Sequence, residues 1–209
     1  MRKVLYVLFS FLSVTLSFAQ VDNYALNFDG KANVNYRKIP ELNGLSAYTV
    51  QFWICPAEWS SQATVFTRGE GVNLFRMCLG EAPGNMLLQV GNQTITINSD
   101  LFAVSKWAHL TLIVNGNKVS SYVNGVPVNA QQPVSALTIA KDENSEFFLG
   151  KEFKGRIDEF RVWKAALDET KYISEDPSII GYLLWDNTLN KFHPQYADLL
   201  LYSKFDQNL

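Results

Sequence analysis

The chain has 209 residues, with 18 Lys and Arg against 20 Asp and Glu, for a formal charge of −2. No cluster of basic residues occurs, so the electrostatic footprint of a nucleic-acid binder is absent. Two cysteines and two histidines in no shared motif also set aside zinc and other transition metals.

Residues 1–19 read as an export signal. Arg2 and Lys3 give a basic start, and residues 4–18 form an apolar run broken by Ser10, Ser13, Thr15 and Ser17. Ser17 and Ala19 then place small residues where a signal peptidase reads. The alternative is an uncleaved anchor, but the run is short and its polar interruptions are frequent. Cleavage after Ala19 leaves 209 − 19 = 190 residues and a charge of 16 − 20 = −4. That length suits one all-β domain.

From residue 24 onward, strand signals recur at short intervals. Residues 24–28 (YALNF) precede the turn pair Asp29-Gly30, and residues 48–55 (YTVQFWIC) stop at Pro56. Shorter runs follow at 64–67, 74–79, 86–90 and 94–97, separated by Gly, Pro, Asn and Ser clusters. This spacing predicts a sandwich or barrel. Residues 108–114, 118–123 and 126–128 are joined by Asn115-Gly116 and Asn124-Gly125. Asn-Gly is favoured in two-residue hairpin turns because both positions accept positive φ, so a three-strand meander is expected. In it Leu110, Leu112 and Val114 share one face, and His109, Thr111 and Ile113 the other. Gly155 allows close backbone approach at the start of a last long strand, residues 155–163. Asp168 caps a short helix that Pro177 stops. Residues 199–205 form a further apolar strand, either the edge of this domain or the opening of another. The resulting division is 1–19, 20–176 and a C-terminal extension, 177–209.

Four segments, taken in order, resemble laminin-G-like domains of the concanavalin A-like lectin/glucanase superfamily. They are ALNFDGKANV from residue 25, YTVQFWICP from 48, KWAHLTLIVNGNKVSSYVNGVPV from 106, and FLGKEFKGRIDEFRVWKAAL from 148. The resemblance implies an all-β, two-sheet antiparallel sandwich of jelly-roll form. It also implies a secreted module that binds carbohydrate or glycoprotein without transforming it. The alternatives are a structural or adhesion module of a larger surface protein, and an accessory domain of a glycoside hydrolase. Members of the superfamily often hold one calcium ion, and the matching positions here are Asp29 and Asp158. Calcium requires several hard oxygen ligands; the other reading has Asp29 as a turn former and Asp158 as a hydrogen-bonded strand acid.

Catalysis finds little support. The alternating carboxylates of the superfamily's glucanases are missing, and adjacent Asp158 and Glu159 should face opposite sides of a strand. His109 and His193 have no nucleophile motif beside them. Trp59, in a loop after Pro56, offers a ring for a sugar to stack on, with Ser60, Ser61 and Gln62 as hydrogen-bonders. The alternative is an indole folded back over the core edge. Tyr36 and Arg37 make a weaker candidate, and Asn92-Gln93-Thr94 fits an N-glycosylation triplet. Trp53, Trp107, Trp163, Tyr122 and Phe160 are expected to fill the space between sheets. Glu159 and Arg161 lie two residues apart, spaced to pair on one face. Cys55 and Cys78 are either a disulfide or two buried thiols.

Overall fold

A computed structural model describes residues 25–167 and 195–205. The export signal, the helix expected after Asp168, and His193 lie outside these residues. Within them, period-two alternation produces thirteen strands and three short 3-10 turns, with no α-helix.

The strands form two antiparallel sheets. Sheet A runs β1 (Leu26–Asp29), β12 (Lys154–Trp163), β3 (Ala47–Pro56), β8 (Ala108–Asn115), β9 (Lys118–Val123) and β10 (Val126–Val128). The last strand, β13 (Leu199–Ser203), also pairs with β12, beyond the stretch that β1 occupies. Residues 199–203 are therefore an edge strand of this same sandwich. Sheet B runs β2 (Val34–Asn35), β11 (Phe147–Leu149), β4 (Thr64–Arg68), β5 (Phe75–Leu79), β6 (Asn85–Val90) and β7 (Gln93–Asn98).

The meander forms as expected, with one adjustment. Asn115 pairs with Lys118, so the first hairpin turns on Gly116 and Asn117 rather than on Asn115-Gly116. The second turns on Asn124 and Gly125, both at positive φ. Leu110, Leu112 and Val114 enter the core that also holds Phe66, Phe75 and Met77 of sheet B.

Phenylalanine, not tryptophan, fills the space between the sheets. Phe66 stacks on Phe147 at 5.5 Å and meets Phe160 at 5.8 Å, and Phe52 lies 6.0 Å from Phe160. Each buried ring contributes about 1.5–3 kcal/mol. Phe160 thus takes its expected place, but the tryptophans and Tyr122 do not. Trp53 falls between core-facing Phe52 and Ile54, so alternation turns it outward, where it meets the His109 ring at 5.1 Å. Trp163 follows inward Val162. It is buried in a second cluster with Ile113, Tyr122 and Leu167, and its Nε1 donates to Gln51 Oε1 at 2.9 Å. Trp107 precedes β8 and is 36% exposed, with the Arg156 guanidinium 5.0 Å above its ring.

A bulge in β12 changes a second expectation. Asp158 pairs with Trp53 and Arg161 with Gln51, leaving Glu159 and Phe160 opposite Phe52 alone. Glu159 takes φ 50°. The extra residue restarts the alternation, so Asp158 and Glu159 both lie on the outward side of sheet A. Glu159 there pairs with Arg161 and accepts a hydrogen bond from the Tyr202 hydroxyl at 2.7 Å. The pairing of Glu159 with Arg161 follows the spacing read from sequence.

Cys55 and Cys78 are free, buried thiols. Cys55 contacts Arg156 on the outward side of sheet A, and Cys78 contacts Gln62 and Gln89 on the outward side of sheet B. The thickness of the sandwich separates them, so no bridge forms.

Candidate binding face on sheet B

Strand register assembles the site. Opposed residues run in one line across all six strands of sheet B: Asn35, Phe148, Thr67, Arg76, Gln89 and Thr94. Their neighbours along each strand, among them Phe147, Phe66, Phe75, Met77, Leu88, Val90 and Ile95, are core residues. Alternation therefore turns the whole row outward. A second outward row adds Thr64, Cys78, Leu87 and Thr96.

A groove of about 710 Å3 crosses the β11, β4 and β5 part of this face. Thr64, Thr67, Arg76 and Phe148 line its floor. The β4–β5 connection contributes Glu70 and Asn73, the approach to β11 contributes Asp142, Ser145 and Glu146, and the turn after β11 contributes Lys151 and Glu152. The Lys151 ammonium lies 4.8 Å from the centre of the half-buried Phe148 ring.

Two arginines brace the groove. Arg68 is 1% exposed and donates to the Asn43 side chain and to the Asp142 and Ala140 carbonyls, the last at 3.2 Å. Burial lowers its pKa, partly countered by nearby Asp142. Arg76 donates through Nε to Thr64 Oγ1 at 2.9 Å and through Nη2 to the Gln62 carbonyl. Asp142 accepts from the Ser145 hydroxyl at 2.6 Å, from the Ser145 and Asn144 amides, and from Asn73. These bonds, the Ser145 hydroxyl first, hold its carboxyl below the ordinary carboxylate range.

The residues singled out from sequence are distributed as follows. Trp59 is half-buried against the core edge and its Nε1 donates to the Gly80 carbonyl at 3.0 Å. Gln62 is exposed, takes φ 67°, and donates its amide to the Leu79 carbonyl at 2.9 Å. Both thus hold to the end of β5, and Gln62 reaches the groove through Arg76. Tyr36 and Arg37 part company. The Tyr36 hydroxyl donates to Ser203 Oγ at 2.6 Å, whereas exposed Arg37 pairs with Glu146 at 3.5 Å. Asn92 is exposed at the β6–β7 turn.

Asp29 and Asp158 are not brought together. Asp29 pairs with Lys154 at one end of β12, and its Oδ1 accepts the Lys31 and Ala32 amides at 2.8 Å. Those two bonds lower its pKa, that of Ala32 most. Asp158 is four ladder positions away, roughly 13 Å at the rise of a strand, and its Oδ1 accepts the Glu159 amide at 2.8 Å. Calcium–oxygen bonds are only about 2.3–2.6 Å long, so no single ion reaches both. Among the described residues no three His, Cys, Asp or Glu side chains group to hold a metal.

Two packed antiparallel sheets in this order define a lectin-like sandwich. The chain belongs to the Concanavalin A-like lectin/glucanases superfamily, whose laminin-G-type family model matches residues 28–171. No curated protein sequence is significantly similar to it. Among solved structures, a Bacteroides ovatus protein proposed to bind carbohydrate is 22% identical, with a TM-score of 0.62. The alignment covers 87% of this chain and 51% of that one, so this chain spans about half of it. The Ruminococcus gnavus sialidase CBM40, bound to alpha2,3 sialyllactose, is 13% identical with a TM-score of 0.57, covering 77% of this chain and 96% of that one. Mouse laminin alpha1 domains LG4-5 are 13% identical with a TM-score of 0.50, covering 69% and 44%. At these identities the likeness is one of fold.

Proposed function

We propose that this chain is a noncatalytic recognition module that binds carbohydrate, free or carried on a glycoprotein, along the outward face of sheet B. One observation carries the reading: the Phe148 ring stands in an unbroken outward row with Thr67 and Arg76, on the floor of a groove of about 710 Å3. A pyranose has an apolar face and a girdle of hydroxyls. A flat ring takes the first, and Thr, Asn, Arg and carboxylate groups take the second. The groove lies in the size range of small-ligand sites. Its floor is made of paired strands, so little order is lost on binding. Gln62 joins the site as a rim residue through Arg76; Trp59 supports that rim, its indole N–H already engaged by Gly80.

Two structures of the same fold support the reading, one bound to alpha2,3 sialyllactose and one proposed to bind carbohydrate. So does the commitment of Asp142 and Glu146 to local bonds, which leaves them poorly placed as an acid–base pair. Export through residues 1–19 would bring the module to where such ligands occur.

The full chain titrated calorimetrically with a panel of oligosaccharides tests the proposal. Phe148→Ala is expected to weaken binding roughly tenfold with little change in melting temperature, as for loss of one stacked ring. Failure of the wild-type chain to bind any glycan on a broad array would overturn it. The adhesion alternative is favoured by the connection 99–107, where Leu101, Val104 and Trp107 are 44%, 41% and 36% exposed.

A further inference from the structure

We infer that the groove takes a sugar chain bearing a single carboxylate, as in a uronic or sialic acid, with Arg76 as its anchor; the inference rests on the glycan reading above. Among the described residues, neither Arg76 nor Lys151 makes an ion pair. Guanidinium carries five N–H donors. In Arg76 one goes to Thr64 Oγ1 at 2.9 Å, one to the Gln62 carbonyl, and one to Gln89 Oε1 at 3.5 Å. All three acceptors are neutral. The group is therefore fixed in place with no carboxylate within ion-pair distance, and two donors remain. A planar guanidinium held this way matches a carboxylate better than it matches a hydroxyl. Thr67 stands between Phe148 and Arg76 in the row, so a ring seated on Phe148 can direct a substituent toward Arg76 across one residue. Lys151, above Phe148, adds a second cation on that side.

The surrounding charge limits the ligand to few anionic groups. The lining holds three cations, Arg68, Arg76 and Lys151, and four carboxylates, Glu70, Asp142, Glu146 and Glu152, so its sum is 3 − 4 = −1. A polysulfated glycan would meet the rim carboxylates and be repelled. One carboxylate in an otherwise neutral chain reaches Arg76 and leaves its hydroxyls for the rim.

Calorimetry on the full chain with matched probes tests this. One pair is a trisaccharide ending in glucuronic acid and its methyl ester; the other is sialyllactose and its methyl ester. In at least one pair the acid is expected to bind roughly tenfold or more tightly than the ester, as for one charge-assisted contact. Which pair does so identifies the uronic or the sialic source. Arg76→Gln should abolish that preference, and added salt should weaken the acid alone. Equal binding of acid and ester by the wild-type chain overturns the carboxylate inference and leaves the glycan reading standing. So does a preference that survives in Arg76→Gln. Binding of neither member of either pair, nor of any glycan on the array, overturns both. The wild-type comparison holds even where the variant fails to fold.

Discussion

Arg68 and Arg76 stand eight positions apart on neighbouring strands and do different work. Arg68 has its terminal nitrogens turned inward onto two carbonyls and Asn43, and so pins the approach to β11. Arg68→Ala leaves the half-buried Ala140 and Asp142 carbonyls without that donor and opens space where a fully buried side chain stood, and is expected to cost about 3 kcal/mol, read as a lower urea midpoint. Arg76 is half-exposed, so Arg76→Gln should change stability by less than about 1 kcal/mol while changing ligand preference. His109 makes a different kind of prediction. It is buried, and burial, with Arg161 nearby, lowers its pKa from 6.5 to about 3. The unfolded chain therefore takes up the proton first as the solution is acidified. Its contribution is whole above pH 6.5 and is lost as pH falls toward about 3, at up to about 1.4 kcal/mol per pH unit. His109→Phe should flatten that part of the stability–pH curve; an unchanged slope would assign the acid sensitivity to other groups.

At the scale of elements, the long strand β12 decides most. Gly155, its second residue, takes φ 144°, and a Cβ there would stand 2.5 Å from the Cys55 carbonyl oxygen and 2.8 Å from Pro56 Cα. Those are backbone atoms of β3 and cannot yield. Gly155→Ala is expected to destabilise by about 3 kcal/mol or more. Gly116→Ala, at φ 62° with open space around it, should cost only about 1 kcal/mol; thermal melts of the two compare them directly. Gly155 was legible in sequence because a glycine beginning an apolar strand has few other uses. The meander was legible too, since Asn-Gly pairs and alternation are local signals. The placement of the tryptophans was not. Whether Trp53 or Phe52 faces inward depends on which parity the opposite sheet accepts, and both choices are apolar. The bulge at Glu159 was equally hidden, because an extra residue in one strand shows only against its partner. Trp59 and Gln62 were found by composition, but the groove they adjoin was not. Its floor comes from β4, β5 and β11, and Thr67, Arg76 and Phe148 meet only through register. The trace they leave in sequence is a lone polar residue, Arg76, between core residues Phe75 and Met77.

For the whole molecule, the sandwich presents two unlike outer faces. The outward side of sheet A buries Thr49, Gln51, His109, Arg161 and Trp163. The outward side of sheet B carries the polar row and the groove. The proposed recognition lies on one of these faces, and the most direct test maps it. Amide chemical shifts of the isotopically labelled chain, followed during titration with an acidic oligosaccharide, should move at Thr67, Arg76, Phe148 and Lys151 and stay still on sheet A. Shifts centred instead on Leu101, Val104 and Trp107 would contradict the account.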